Sequence, residues 1–171
     1  MKRIFALLLS LFLAIGLVAC DKKVDVSDYK DQIDYVNVIV EEAPMSPLQV
    51  ENALRAIGVD EEGIDIVLEN CGVNWNAQAL RAAQEVLDAK PVSKNALIQE
   101  LEGWGFAAEQ VQYAANTIDV NWQDQCLYCA MLYIEQGMTK EEVHDQLIAD
   151  QFTEAEWNYV LSQHYTLLEN Y

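Results

Sequence analysis

The sequence predicts an all-α fold of tandem three-helix (helix-turn-helix) repeats, about two and a half units of 46–47 residues preceded by a signal peptide and a spacer. Self-similarity is the first observation behind it, because a fixed period of this length marks a repeat array. GVNWNAQALRAA at 72–83 answers DVNWQDQCLYCA at 119–130, an offset of 47. SKNALIQELEGWGFAAEQVQYA from Ser93 answers TKEEVHDQLIADQFTEAEWNYV from Thr139, an offset of 46, with one deletion where DAKPV becomes EQGM. Upstream, SPLQVENALRAIGVDEEGIDIV from Ser46 aligns with Ser93 without a gap. Helical spacing is the second observation. Ala79, Ala82, Ala83, Val86 and Leu87 fall on one helical face, and Cys126, Cys129, Ala130, Tyr133 and Ile134 repeat that stripe. The third is the regular placing of helix start and stop residues.

Residues 1–19 read as a lipoprotein signal peptide. Lys2 and Arg3 precede an apolar run of 15 residues at 4–18, short of the roughly 20 that a spanning helix needs and suited to a secretory segment. LVAC at 17–20 resembles the lipobox of bacterial lipoproteins. That resemblance makes Cys20 the first mature residue and the lipidation site, with a diacylglyceryl thioether. Each buried methylene contributes about 0.8 kcal/mol, so two chains anchor where one does not. An ordinary signal peptide with a cysteine near its cleavage point is the alternative. Residues 20–45 are then a lipidated N-terminus and spacer: DKKVDVSDYK is polar, and IDYVNVIV suits a short helix or a strand equally.

Residues 46–71 form a partial helical repeat, 72–118 the first full repeat and 119–171 the second, with a C-terminal helix. The middle helices carry Leu97 and Leu101, matched by Val143 and Leu147 and by Val50 and Leu54. The last helices carry Val111, Ala114 and Ile118, matched by Trp157, Val160 and His164 and by Ile64, Val67 and Cys71. Ser46, Thr139 and Thr153 stand at capping-box spacing before Gln49, Glu142 and Glu156, and Asn74 and Asn121 suit N-caps. Gly58-Val59 and Gly105-Phe106 read as left-handed helix stops followed by an apolar residue. Gln151-Phe152 keeps the apolar residue without the glycine, which predicts a strained or differently closed turn. Trp75 and Trp122 are equivalent and are expected, with Phe106 and Phe152, to pack the repeats; an exposed aromatic contact for a partner is the other reading of the tryptophans.

Charge narrows the function. The formal net charge is −18, and −20 once Lys2 and Arg3 are removed. Such a chain repels phosphates, so no nucleic-acid partner is expected, and it meets anionic membrane only through its anchor. A basic protein partner is favoured, with Glu61, Glu62, Asp65, Glu141, Glu142 and Asp145 as candidate contacts. Cys126-Leu-Tyr-Cys129 invites a zinc or redox reading with His144 and His164. The two cysteines, however, replace Ala79 and Ala82, so they are expected as small core residues, with no metal and no cofactor. Cys71, Cys126 and Cys129 allow at most one internal disulfide, and its existence is open. DVNWQDQ from Asp119 lacks the glycine and closing glutamate of a calcium loop. There is no glycine-rich phosphate cradle, and two histidines at core-like positions assemble no catalytic constellation. No catalytic residue is assigned, and no enzyme is expected.

Asn74-Trp75-Asn76, ALRAA at 79–83, SKNALIQEL at 93–101, GFAAEQVQYA at 105–114 and the return to VNW at 120–122 together resemble the host cell surface-exposed lipoprotein family, the Ltp type. The resemblance covers about residues 46–165 and is best over 72–122. It implies a lipid-anchored protein on the outer face of the cell membrane of a Gram-positive bacterium. Phage-encoded members act in superinfection exclusion by blocking phage DNA injection, and the implied partner is the phage tape measure protein. A host cell-envelope scaffold or adhesion module unrelated to phage is the alternative use of the same repeats.

Overall fold

The computed structural model describes residues 25–168, with side chains to residue 162. The segment expected as a signal peptide and Cys20 lie outside the described residues, as does the side chain of His164. A single 3-10 turn, Val26–Tyr29, leads into three packets of three helices. The first packet is α1 (Lys30–Glu42), α2 (Pro47–Ala56) and α3 (Glu61–Asn70). The second is α4 (Trp75–Ala89), α5 (Lys94–Gly103) and α6 (Ala108–Thr117), and the third is α7 (Trp122–Glu135), α8 (Lys140–Ala149) and α9 (Glu154–Leu168). No strand occurs among the described residues.

Each packet encloses its own core. Val36, Val40, Val50, Leu54, Ile64 and Val67 pack together in the first. Ala79, Ala82, Val86, Leu97, Leu101, Phe106 and Val111 do so in the second, and Cys126, Cys129, Val143, Leu147, Phe152, Trp157 and Val160 in the third. The closest helix packing is within packets, α4 against α6 and α7 against α9. Cores this small depend on stacking, because no single packet can bury all of its apolar face.

One expectation needs correction. The segment expected as a spacer, 20–45, contributes α1, so the unit taken as partial has three helices. Ile33, Val36 and Val40 stand 46 residues before Ala79, Ala82 and Val86, and Val36 and Val40 are buried. At two of these positions a larger aliphatic residue, Ile33 or Val36, stands where the next unit has alanine, and the register slips by one residue before Pro44. That hid the match. The undecided IDYVNVIV is helical.

The helix starts follow the side-chain chemistry. Ser46 and Thr139 form reciprocal capping boxes with Gln49 and Glu142, and Thr153 with Glu156 does the same before α9. Asp60, Asn74, Ser93 and Asn121 each accept a backbone N–H from the first turn of their helices. At α6 the N-cap is Ala107, so only the Gln110 half of the exchange is possible, and Gln110 Oε1 accepts the Ala107 N–H at 2.9 Å. The stops after α2, α5, α7 and α8 share one hydrogen-bond pattern. The Val59, Phe106, Met138 and Phe152 amides return to the Leu54, Leu101, Tyr133 and Leu147 carbonyls at 3.0–3.2 Å. Gly58, Gly105 and Gly137 supply the left-handed residue at three of them. At the fourth, Gln151 sits at φ 67°, a non-glycine residue held in the left-handed region.

The packets are joined by a set of contacts that occurs twice. Ser46 Oγ donates to the Trp104 carbonyl at 2.6 Å, and Ser93 Oγ donates to the Asp150 carbonyl at 2.7 Å. Gln78 Oε1 accepts the Met45 N–H and Gln125 Oε1 accepts the Val92 N–H, both at 3.3 Å. Trp75 packs on the core of the first packet and Trp122 on that of the second, each reaching back from the start of its own packet. At the first joint, Arg81 also caps the C-terminal end of α1, donating to the Val40 carbonyl at 2.6 Å and the Glu41 carbonyl at 3.1 Å. A cation there complements the helix dipole.

Two substitutions follow from the stops. Gln151→Gly should raise stability by about 1 kcal/mol in urea denaturation, by relieving the left-handed backbone. Gly105→Ala should lower it by about 2 kcal/mol, because a Cβ there lies 2.5 Å from Leu48 Cβ across the joint.

Candidate interaction surface

The six acids expected as contacts divide between two helices. Glu61, Glu62 and Asp65 lie on α3 in the first packet, and Glu141, Glu142 and Asp145 lie on α8 in the third, all exposed. They form no single cluster, because the second packet stands between. Three of them already serve the fold. Glu61 takes Arg55 Nε at 2.8 Å and Nη2 at 2.9 Å, and these hydrogen bonds hold its carboxyl below the usual carboxylate range. Glu142 accepts the Thr139 N–H at 2.8 Å, which lowers its carboxyl in the same way. Asp145 bonds the His144 ring at 3.1 Å. Glu62, Asp65 and Glu141 remain as the acids of that set with the weakest structural commitment.

His144 lies between two carboxylates. Nδ1 faces Asp145 and Nε2 faces Glu154 at 3.2 Å, while its ring tilts over Trp157 with centroids 5.6 Å apart. The Asp145 and then the Glu154 hydrogen bonds raise its pKa above the ordinary 6.5. Among the described residues no group of three or more His, Cys, Asp or Glu side chains could hold a metal ion.

The described cysteines, Cys71, Cys126 and Cys129, are free and buried. Cys71 belongs to the first core and Cys126 and Cys129 to the third, so the open question of a Cys71 disulfide is answered by their separation in different packets. Burial pushes the Cys126 thiol up to about 12 and the Cys129 thiol up to about 11. Neither is a ready nucleophile or metal ligand. Phe106 and Phe152 are buried in their own packets, each at the helix stop it closes.

Sequence reasoning passed over one feature. Tyr128, Met131 and Leu132 of α7 are 53%, 41% and 45% exposed at i, i+3 and i+4 of one helix face. The same positions of α4 hold Arg81, Gln84 and Glu85. Comparing the units residue by residue on the outer face, rather than the inner one, would have exposed the change.

The match to known families is local. Residues 74–118 match the model of the family described as host cell surface-exposed lipoprotein, a span that runs from the Asn74 cap through α4, α5 and α6. No curated protein and no solved structure matches the chain. No helix among the described residues is long and apolar enough to cross a membrane.

Two measurements check this description. The melting-temperature gap between wild type and His144→Gln should be widest near about pH 5, because a raised pKa contributes fully below the ordinary 6.5 and is lost as pH rises through the folded value; the gap should close by about pH 8. A thiol reagent should label Cys126 and Cys129 at a rate limited by unfolding, and labelling at the rate of a free thiol would contradict their burial. The segment 74–118, which holds the whole of α4, α5 and α6, is similar to the host cell surface-exposed lipoprotein family.

Proposed function

We propose that the protein is a lipid-anchored extracytoplasmic module that holds a protein partner, and that it acts in superinfection exclusion by engaging the tape measure protein and blocking DNA entry. The observation that carries this reading is the family unit at 74–118. Cys20, directly behind the apolar run, supports an anchor to the outer face of the membrane of a Gram-positive bacterium. A formal charge of −18 supports a basic partner segment. Such a partner would meet acidic faces on the first and third packets, including Glu62, Asp65 and Glu141, over a length that one packet does not provide. Binding requires no chemistry from the chain: a tethered body that grips a protein leaving the tail tip stops transfer by occupying it.

A second reading, a host cell-envelope scaffold or adhesion module, is favoured by the apolar face of Tyr128, Met131 and Leu132. An uncharged protein surface would cover it well. Pull-down from uninfected cells separates the two, since a constant host partner belongs only to the scaffold.

Expression of wild type and Cys20→Ser in a phage-sensitive host tests the first reading. With wild type, adsorption should be unchanged while DNA entry falls at least tenfold for some phages. Cys20→Ser should release the protein from the membrane fraction and restore entry. Normal DNA entry across a broad phage panel, with the wild-type protein at the surface, would refute it.

A further inference from the structure

The outward face of α7 differs from those of α1 and α4. Asp124, Tyr128, Met131, Leu132 and Glu135 fall at i, i+4, i+7, i+8 and i+11. They make one continuous face about 17 Å long, opposite the buried Cys126 and Ala130. In α4 the last four of these positions hold Arg81, Gln84, Glu85 and Asp88. Arg81 is engaged at the joint, and Gln84 Nε2 donates to Asp88 Oδ1 at 2.8 Å. In α1 they hold Tyr35, Val38, Ile39 and Glu42, and there Tyr35 and Ile39 pack on the core of their own packet. Tyr128, Met131 and Leu132 take no part in the third core and are exposed.

Glu135 is the sharper sign. It is the last residue of α7, where the helix dipole makes a negative charge unfavourable. No basic residue stands in that last turn, and Glu135 has no hydrogen bond or ion pair among the described residues. At the other end of the face, Asp124 lies in the first turn, which the dipole favours, and it too is unpaired among the described residues.

We infer that this face is a docking site for an amphipathic helix of a partner protein, with an apolar stripe over Tyr128, Met131 and Leu132 and a lysine or arginine at each end of the stripe. Side-chain rows three and four apart on one helix seat in the grooves of another, and Tyr and Met are residues that interfaces favour. A cation opposite Glu135 would relieve the charge that α7 leaves uncompensated at its end, and one opposite Asp124 would meet the second acid. A second copy fits less well. Antiparallel pairing of two such faces sets Asp124 against Glu135, and parallel pairing sets each acid against itself. Anionic lipid is repelled by the same two acids. The inference rests on the chain having a protein partner and is the same for a phage or a host protein.

The probe is a synthetic helical peptide of about 18 residues built from Leu, Ala and Lys, with leucines at i, i+3, i+4 and i+7 and lysines at both ends of that stripe. It is titrated into the isotope-labelled mature chain at physiological salt, and saturable shifts of the Met131 methyl resonance are expected. A peptide of the same composition with its leucines scattered around the helix should bind about tenfold more weakly, and so should one with glutamine in place of lysine. Met131→Lys should weaken binding about tenfold without lowering the melting temperature. Glu135→Gln should weaken it about threefold, whereas Glu69→Gln, the same change of charge at an exposed site on α3, should leave it unchanged. Equal binding of the clustered and scattered peptides, or equal effects of Glu135→Gln and Glu69→Gln, would reduce the attraction to net charge and overturn the inference. Undiminished binding of the glutamine peptide would remove the basic ends and overturn it too. A Met131→Lys variant that melts lower than wild type would show the face to be covered within the chain. Self-association that Met131→Lys abolishes would assign the face to a second copy, and cosedimentation with phosphatidylglycerol vesicles that it abolishes would assign it to lipid. Each of these three results overturns the inference. None of them alters the exclusion assay, so the two readings fall separately.

Discussion

A serine hydroxyl that works twice holds this molecule together. Ser46 and Ser93 each accept the N–H that opens their own helix and, through the same oxygen, donate to a carbonyl at the end of a helix in the next packet. Both are almost wholly buried, 0% and 1% exposed. A helix start and a helix stop are each rich in unpaired backbone groups, and bringing one against the other satisfies both without water. The Gln78 and Gln125 amides and the Trp75 and Trp122 rings then close the polar and apolar sides of the same joint. Packets with cores of seven to ten side chains would be marginal alone. Coupled in this way they stand as an array, as in other repeat proteins.

The array gives the acids their distribution. Because each packet turns the same faces outward, charge falls along the row and is not gathered in one pocket. The ends are not equivalent. The third packet closes its first loop on itself through Gly137 and Met138, while in the first Gln32 Oε1 is buried without a hydrogen-bond partner among the described residues.

The repeat, its period and its caps were legible in the sequence because they rest on local chemistry. Asn before Trp, Ser three residues before Gln, and Gly before an apolar residue are each decided within one turn. Gln151 was legible for the same reason, as a residue without the freedom of glycine at a position that requires it. What escaped was whatever depends on a neighbour packet. Nothing in the composition of residues 30–42 marks them as the missing helix, since Ile33 and Val36 fill with bulk the space that Ala79 and Ala82 leave to other side chains. The second role of Ser46 and Ser93 was equally invisible, as a capping serine looks the same whether or not its hydroxyl has a carbonyl to reach. For the candidate contacts, sequence placed the acids on exposed faces and paired Thr139 with Glu142 as a capping box, but did not reveal that Arg55 and His144 engage Glu61 and Asp145.

Alanine substitution at three equivalent caps measures the joint most directly. Ser46, Ser93 and Thr139 each receive the first-turn N–H, but only the two serines reach another packet, and Thr139 has no described packet beyond it. Thr139→Ala should cost about 1 kcal/mol in urea denaturation, the usual loss for a cap. Ser46→Ala and Ser93→Ala should each cost about 2 kcal/mol or more, because a part-buried carbonyl is left unpaired as well. Equal losses at all three sites would contradict the bridging role of the serines.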